Sequence, residues 1–297
     1  MTAESNPLAG AIEAAPSERP RDHQLDLYGM THAGRVRPEN QDHFLLGTVH
    51  PQVVIHGTSL PHPEQLPARG QRMATLMLVA DGVGGGSEGG QASQLAVEAI
   101  MDYVSSTMEC CHAVVSGREE ELMVALRTAA AKAHAAVQDK AASLALPQVM
   151  ATTLTLAVAV WPWAYVVQVG DSRCYHFSHG ALHQVTRDQT VAQDLVDMGV
   201  LAPDRAAASP YRNVLARAIG ASEATPEVHR LDIRERGCVI FLCSDGLTKH
   251  VSDEEIAEHL RTMTSSEQVC RALVELALER GGSDNVTVIV GRAVEPG

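Results

Sequence analysis

Five aspartates constrain this chain more than any other feature, because each stands at a Gly-rich or polar turn beside an apolar run. They lie in Arg37-Pro38-Glu39-Asn40-Gln41-Asp42, Asp81-Gly82-Val83-Gly84-Gly85, Gly170-Asp171-Ser172-Arg173, Ser244-Asp245-Gly246-Leu247 and Gly282-Ser283-Asp284-Asn285. Asp42 opens a run, Asp81, Asp171 and Asp245 follow one, and Asp284 precedes one. If the run after Asp42 pairs antiparallel with the run before Asp81, the two carboxylates meet and their connecting loop falls at the opposite end. All five can then share one rim of a β-structure. Carboxylates packed that closely repel one another, so the rim predicts bound divalent cations.

The runs themselves read as strands and helices. Met73 to Ala80 is a buried strand entering a Gly turn, and His43 to Gly47 is its expected partner. Gln91 to Val104 places Ala92, Leu95, Ala96, Ala99, Ile100 and Tyr103 on one helical face. Glu121 to Val137 repeats that pattern. In Thr153 to Val160 the large residues Leu154, Leu156, Val158 and Val160 alternate with small ones, which suits a strand buried on both sides. Tyr165 to Val169 follows the Trp161-Pro162-Trp163 turn. Arg173 to Phe177 and Leu182 to Thr186 flank a hairpin turn at His179-Gly180. Cys238 to Cys243 and Val286 to Val290 are further strands. Between them, Ser252 with Glu255 is a capping-box signal, and Val269, Ala272, Leu273 and Leu276 mark a helix. Consecutive strands with helices outside predict an α+β fold built on antiparallel sheets.

At 297 residues, with 45% hydrophobic and 20% charged residues, the chain can bury a core without disulfides. None of the six cysteines has C-x-x-C spacing, so buried reduced thiols are expected rather than zinc or disulfides. His50, His56 and His62 share one polar loop, but they lack the spacing of a His-metal site. The net charge of −13 argues against nucleic acid and anionic lipid as partners. Residues 1–22 read as a flexible tail rather than a signal peptide, and residues 23–297 as a single catalytic domain. No run reaches membrane-spanning length, so a cytoplasmic protein is expected.

Hard oxygen donors without Cys or well-spaced His select Mn²⁺ or Mg²⁺ over Zn²⁺. A carboxylate such as Asp81 can bridge two ions, and Gly82 lets the backbone approach closely enough to offer a carbonyl. Two bridged ions activate a shared water for in-line attack on phosphorus. Arg37, near Asp42 in sequence, has the planar fork that grips phosphoryl oxygens.

In this order, the motifs resemble those of the metal-dependent protein phosphatase family, type 2C, over about Leu25 to Arg292. They are Arg-x-x-Asn-x-Asp, Asp-Gly-x-Gly-Gly, Ala-Thr-Thr-Leu (Ala151 to Leu154), Gly-Asp-Ser-Arg, Ser-Asp-Gly-Leu and Ser-Asp-Asn-Val-Thr. The resemblance implies two central antiparallel β-sheets sandwiched between helices, in four αββα layers. It implies a serine/threonine phosphatase acting on phosphorylated proteins with two Mn²⁺ or Mg²⁺ ions and, in many members, a third. By motif, Asp81 resembles the aspartate bridging two ions, Gly82 the carbonyl donor to one, and Asp245 and Asp284 ligands of the other. Asp42 then acts at the metal centre directly or through water, Asp171 helps hold the third ion with Asp245, and Arg37 binds phosphate.

Two positions depart from the family pattern. Gln41 stands where many members have Glu, and Val83 stands where several eukaryotic members have His as a proposed general acid. Leaving-group protonation is therefore expected from metal-bound water. The segment 187–220 matches the family's variable flap and is expected to act as a substrate-selecting lid. Relatives dedicated to one signalling regulator usually lack that flap, so a general, monomeric partner to serine/threonine kinases is expected. The loop 48–72 is expected far from the metals. The competing reading is a non-catalytic phosphoprotein-binding module, but such relatives typically lose a metal ligand and all five aspartates are present here.

Overall fold

The computed structural model describes residues 18–52, 62, 69–84, 87–106, 119–144 and 150–295. The expected tail up to residue 17, most of the 48–72 loop, Gly85, Cys110 and Cys111 lie outside the described residues. Two sheets carry the fold. In chain order the strands are β1 (Leu25–His32), β2 (Asp42–Val49), β3 (Ala74–Val83), β4 (Ala151–Thr152), β5 (Leu154–Val160), β6 (Trp163–Val169), β7 (Arg173–Ser178), β8 (Ala181–Gln184), β9 (Glu227–Asp232), β10 (Val239–Cys243) and β11 (Val286–Ala293). One sheet has the order β1-β11-β10-β7-β8 and the other β2-β3-β5-β6-β9, with β4 paired to the end of β3. Every pairing is antiparallel.

Side-chain alternation explains the layering. In β3, Leu76, Leu78 and Ala80 join Ala92, Ala96 and Ile100 of α1 (Glu88–Ser106) and Leu122, Leu126 and Ala133 of α2 (Glu119–Ser143) in one core. The intervening Met77 and Val79 point the other way. They meet Ala157, Val166, Ile240, Leu242 and Ile289 in a core between the two sheets. On the far side, Val239, Phe241, Val286, Val288 and Val290 pack against α6 (Asp253–Arg261) and α7 (Ser266–Glu279). The result is the four-layer αββα sandwich that the resemblance implied. The large face of β5 lies under the helices, and its small face lets the second sheet approach.

Local chemistry fixes several boundaries. His179 and Gly180 both have positive φ, 50° and 76°, as the β7–β8 hairpin turn requires. Ser252 Oγ accepts from Glu255 N while Ser252 N donates to Glu255 Oε2, so the expected capping box starts α6. Cys174, Cys238, Cys243 and Cys270 are buried free thiols, as expected. Among the described residues no helix is long and apolar enough to cross a membrane.

Three boundaries differ from the sequence reading. β3 continues past Asp81 to Val83, because Gly82 and Val83 pair with Thr152 and Ala151. β1 and β9 were not foreseen; β1 pairs with β11, and the mixed polar sequence of β9 occupies a sheet edge beside β6. Residues 18–22, grouped with the tail, are tied down in the part that is described. Arg72 donates to Pro20 O at 2.8 Å and pairs with Asp22 at 2.7 Å, while Arg236 donates to Glu18 O at 2.8 Å.

Candidate metal centre

The β2–β3 register sets Asp42 directly opposite Asp81. Asp42 is 3% exposed. Its Oδ2 accepts from Ser244 Oγ at 2.8 Å and Thr287 Oγ1 at 2.6 Å, so the ends of β10 and β11 hold it from the other sheet. Its Oδ1 is buried with no hydrogen-bond partner. Burial pushes the Asp42 carboxyl up to about 6, with the charge of Asp245 adding to the rise and the two hydroxyls opposing it.

Asp81 is fixed through its backbone by the Ala-Thr-Thr-Leu segment. Its N–H donates to Thr153 Oγ1, and its carbonyl accepts from Thr153 N and Thr152 Oγ1. Thr153 Oγ1 and Ser172 Oγ share a hydrogen bond at 2.8 Å, which couples this grip to the Gly-Asp-Ser-Arg turn. The side chain of Asp81 is left for the rim. Burial raises its pKa well above the usual carboxylate value, and the charges of Asp42, Asp245 and Asp171 push it further. Asp171 behaves alike: burial, then Asp245 and Asp188, raise it to about 8.

Gly82 follows because nothing larger fits. A Cβ there would strike the carbonyl of Gly89 and come within 2.7 Å of Gln41 O. That contact brings the start of α1 against the Gln41–Asp42 segment, where Ser93 Oγ donates to Gln41 O at 2.5 Å. The Ser-Asp-Asn motif has a comparable local role. Asn285 Nδ2 donates to Ala33 O and Glu39 O, and its Oδ1 accepts from Gln41 N. One side chain thus ties the Arg37-bearing loop to the start of β11.

Asp171, Asp245 and Asp284 open into one cleft of about 800 Å³ together with Arg37, Arg173, Asp188 and Lys249. The remaining wall includes Thr190, Ala192, Gln193, Pro203, Arg212 and Asn213, all from the 187–220 segment. That segment contains α3 (Val191–Asp197) and α4 (Pro203–Ala206). Asp245 starts the single-turn helix α5 (Asp245–Thr248), whose last carbonyls are capped by Lys249 N. Lys249 Nζ lies 2.6 Å from Asp245 Oδ2 and 2.7 Å from Asp284 Oδ2. Arg37 forks onto both oxygens of Asp284, Nε at 2.8 Å and Nη2 at 2.9 Å. Burial disfavours the Lys249 ammonium, but its two carboxylate partners outweigh this and hold its proton more tightly than usual. Burial alone would raise Asp284; Arg37 and Lys249 bring it below the usual value.

The five predicted aspartates therefore share one rim, and the residues fit a hard divalent ion by donor chemistry. The donors are carboxylate and carbonyl oxygens. Asp42 Oδ1 is an orphaned buried acceptor, and burial together with neighbouring acids raises Asp42, Asp81 and Asp171 above the ordinary carboxylate value. No coordination shell is closed: among the described residues no three Asp, Glu, His or Cys side chains gather about one point. The oxygens of Asp284 and Oδ2 of Asp245 are committed to Lys249 and Arg37 instead. Lys249 was missed in the sequence because a Lys after Ser-Asp-Gly-Leu-Thr reads as a surface charge. Its i, i+4 spacing from Asp245 was the available signal. Thr287 and Ser244 were missed because their motifs were read for the acids alone.

A two-sheet sandwich whose strand ends bring five acids to one rim defines an αββα scaffold with an acidic cleft, and known proteins place it further. The family model for protein phosphatase 2C matches residues 67–279. The chain is 36% identical over 222 residues to the serine/threonine protein phosphatase PstP of Mycobacterium tuberculosis, covering 75% of this chain and 41% of that protein. It is 30% identical over 216 residues to the serine/threonine phosphatase stp of Listeria monocytogenes, covering 72% of this chain and 83% of that one. A crystal structure of the M. tuberculosis phosphatase PstP/Ppp superposes with a TM-score of 0.73 at 30% identity, covering 91% of this chain and 99% of that one. The PstP catalytic domain in complex with two manganese ions gives 0.69 at 29%, with the same coverage. This chain belongs to the protein phosphatase 2C family. It spans about two fifths of the length of the mycobacterial relative.

Proposed function

We propose that the protein is a metal-dependent serine/threonine phosphatase acting on phosphorylated proteins. The observation that carries this reading is the rim of mutually repelling carboxylates at a cleft that also holds Arg37, Arg173, Arg212 and Lys249, in a chain of this family. Asp81, Asp42, Asp245 and Asp284, with the Gly82 carbonyl, would hold two Mn²⁺ or Mg²⁺ ions, and Asp171 with Asp245 a third. When bound, such ions activate water and neutralise charge at phosphorus. Ser244 and Thr287 keep Asp42 oriented toward the rim. Arg37 is 50% exposed and its fork is turned into the cleft, so releasing Asp284 frees it to grip phosphoryl oxygens. Val83 stands at the rim, 38% exposed, and has no proton to give a leaving group.

The 187–220 segment forms one wall of the cleft and is assigned the role of a lid that selects the phosphorylated segment. We assign residues 23–297 to a single catalytic domain, acting in the cytoplasm as a monomer on the products of serine/threonine kinases. The net charge of −13 supports protein over nucleic-acid or membrane partners. The binding-module reading is disfavoured because all five acids are in place.

Hydrolysis of a phosphothreonine peptide, measured with Mn²⁺, with Mg²⁺ and with chelator, tests the proposal. Activity that requires metal and is lost in Asp245→Asn is the expected result. Turnover in chelator, or near-native turnover in Asp245→Asn, would overturn it.

A further inference from the structure

Lys249 has a place that the metal ligands do not explain. It is positioned by α5, one helical turn after Asp245, and its ammonium touches one oxygen of Asp245 and one of Asp284. A divalent ion bound by these two carboxylates needs the same lone pairs. An ammonium and a divalent ion drawn to the same oxygens repel each other at short range, so each weakens the other's hold. The lysine stem is flexible and the side chain is 25% exposed to the cleft, so the ammonium can leave without moving the backbone. Arg37 does not substitute for it, since its fork covers Asp284 alone.

We propose that Lys249 is a tethered counter-ion. Its ammonium sits between Asp245 and Asp284, and it sets the affinity of that place by competing with an incoming divalent ion. The inference rests on the metal-dependent reading above and adds a specific competitor to it. An acidic rim without metal is thereby stabilised from within the chain. Metal binding at Asp245 and Asp284 is correspondingly weaker, and it turns Lys249 out into the cleft where substrate arrives.

The native protein itself supplies the first test. Lys132, Lys140 and Lys249 are its only lysines; the first two lie on α2, and Lys132 sits over the Tyr103 ring of α1. Limited amine acylation read by mass spectrometry, with chelator and with saturating Mn²⁺, compares them directly. Mn²⁺ should raise labelling of Lys249 several-fold and leave Lys132 and Lys140 unchanged. Calorimetric Mn²⁺ titration of Lys249→Gln is the second arm. Its affinity should be about tenfold tighter than native, the size of two partly exposed ion pairs, and its melting temperature in chelator should fall. Bound Mn²⁺ with unchanged or reduced Lys249 labelling would overturn the competition, as would superimposable native and Lys249→Gln isotherms. If neither chain binds Mn²⁺, the metal-dependent reading fails first and this inference falls with it.

Discussion

Asp42 and Asp81 are cross-strand partners in the β2–β3 pair, and Asp42 keeps one buried oxygen, Oδ1, without a hydrogen-bond partner. Native structures rarely leave a buried carboxylate oxygen unpaired. The pair is held in this state by hydroxyls and threonines from both sheets, so the scaffold enforces a proximity that the charges oppose. The stability of the metal-free protein should reveal that opposition.

Burial and neighbouring charge raise Asp42 from 3.8 to about 6 and Asp171 to about 8. A carboxyl that holds its proton more tightly when folded favours the fold below its unfolded pKa. That contribution disappears as pH rises through the folded pKa. In chelator, these two groups should therefore make the melting temperature decline from about pH 4 to about pH 8. Saturating Mn²⁺ should flatten the decline by neutralising the rim. A metal-free melting temperature that rises across this window would contradict the assignment.

Arg173 provides a second test, on the wall of the cleft that carries the 187–220 segment. Its guanidinium forks onto Asp188 at 2.8 and 2.7 Å and donates to Tyr175 Oη at 2.9 Å, and Tyr175 in turn donates to Asp253. Asp188 leads into α3, so this pair anchors the base of the 187–220 segment to β7. Both side chains keep about a fifth to a quarter of their exposure, 24% and 22%, which discounts the ion pair. Asp188→Ala should cost about 1–2 kcal/mol in urea denaturation, chiefly by leaving Arg173 underpaired. An unchanged midpoint would place the anchor elsewhere.

Arg37 should separate phosphate binding from metal binding. Its fork offers two charge-assisted bonds, and Arg37→Ala should lower kcat/KM for a phosphothreonine peptide by at least about tenfold. Saturating Mn²⁺ should not restore the loss. Arg37→Lys should fall between, since an ammonium keeps the charge without the fork. Steady-state kinetics at two Mn²⁺ concentrations check both points, and full rescue by metal would assign Arg37 to the metal instead.

Much of this was legible because strand ends announce themselves. The alternation in Thr153–Val160 foretold burial on both sides, and the antiparallel logic that joined Asp42 to Asp81 holds residue for residue. β9 was illegible because Glu227–Asp232 carries charge on an edge, where only one neighbour constrains it. The motif acids were visible, but their supports were not. Ser244, Thr287 and Asn285 act through contacts across more than 200 residues of chain, and local sequence does not register such contacts. Lys249 was hidden for the same reason on one side: its pairing with Asp245 is local, while Asp284 arrives from another element.

The loop between β2 and β3 should be dispensable for the chemistry. The register that joins Asp42 to Asp81 ends with Val49 opposite Ala74, seven residues further along. At about 3.3 Å per residue this puts the end of the β2–β3 pair, where the loop leaves and returns, roughly 20 Å from the rim. The two chains stay together beyond the strands: Met73 N donates to Val49 O, Gly70 N donates to Pro51 O, and Gln52 bridges Arg69. The ends of any excised segment are therefore already adjacent, and loop closure favours a short connection. Replacing residues 53–68 with a tight turn should leave Mn²⁺-dependent hydrolysis of a small phosphoester within about twofold of native, because surface substitutions remote from a site change little. A selective loss on a protein substrate would make the loop a docking element, and a large loss on the small ester would show that it reaches the rim.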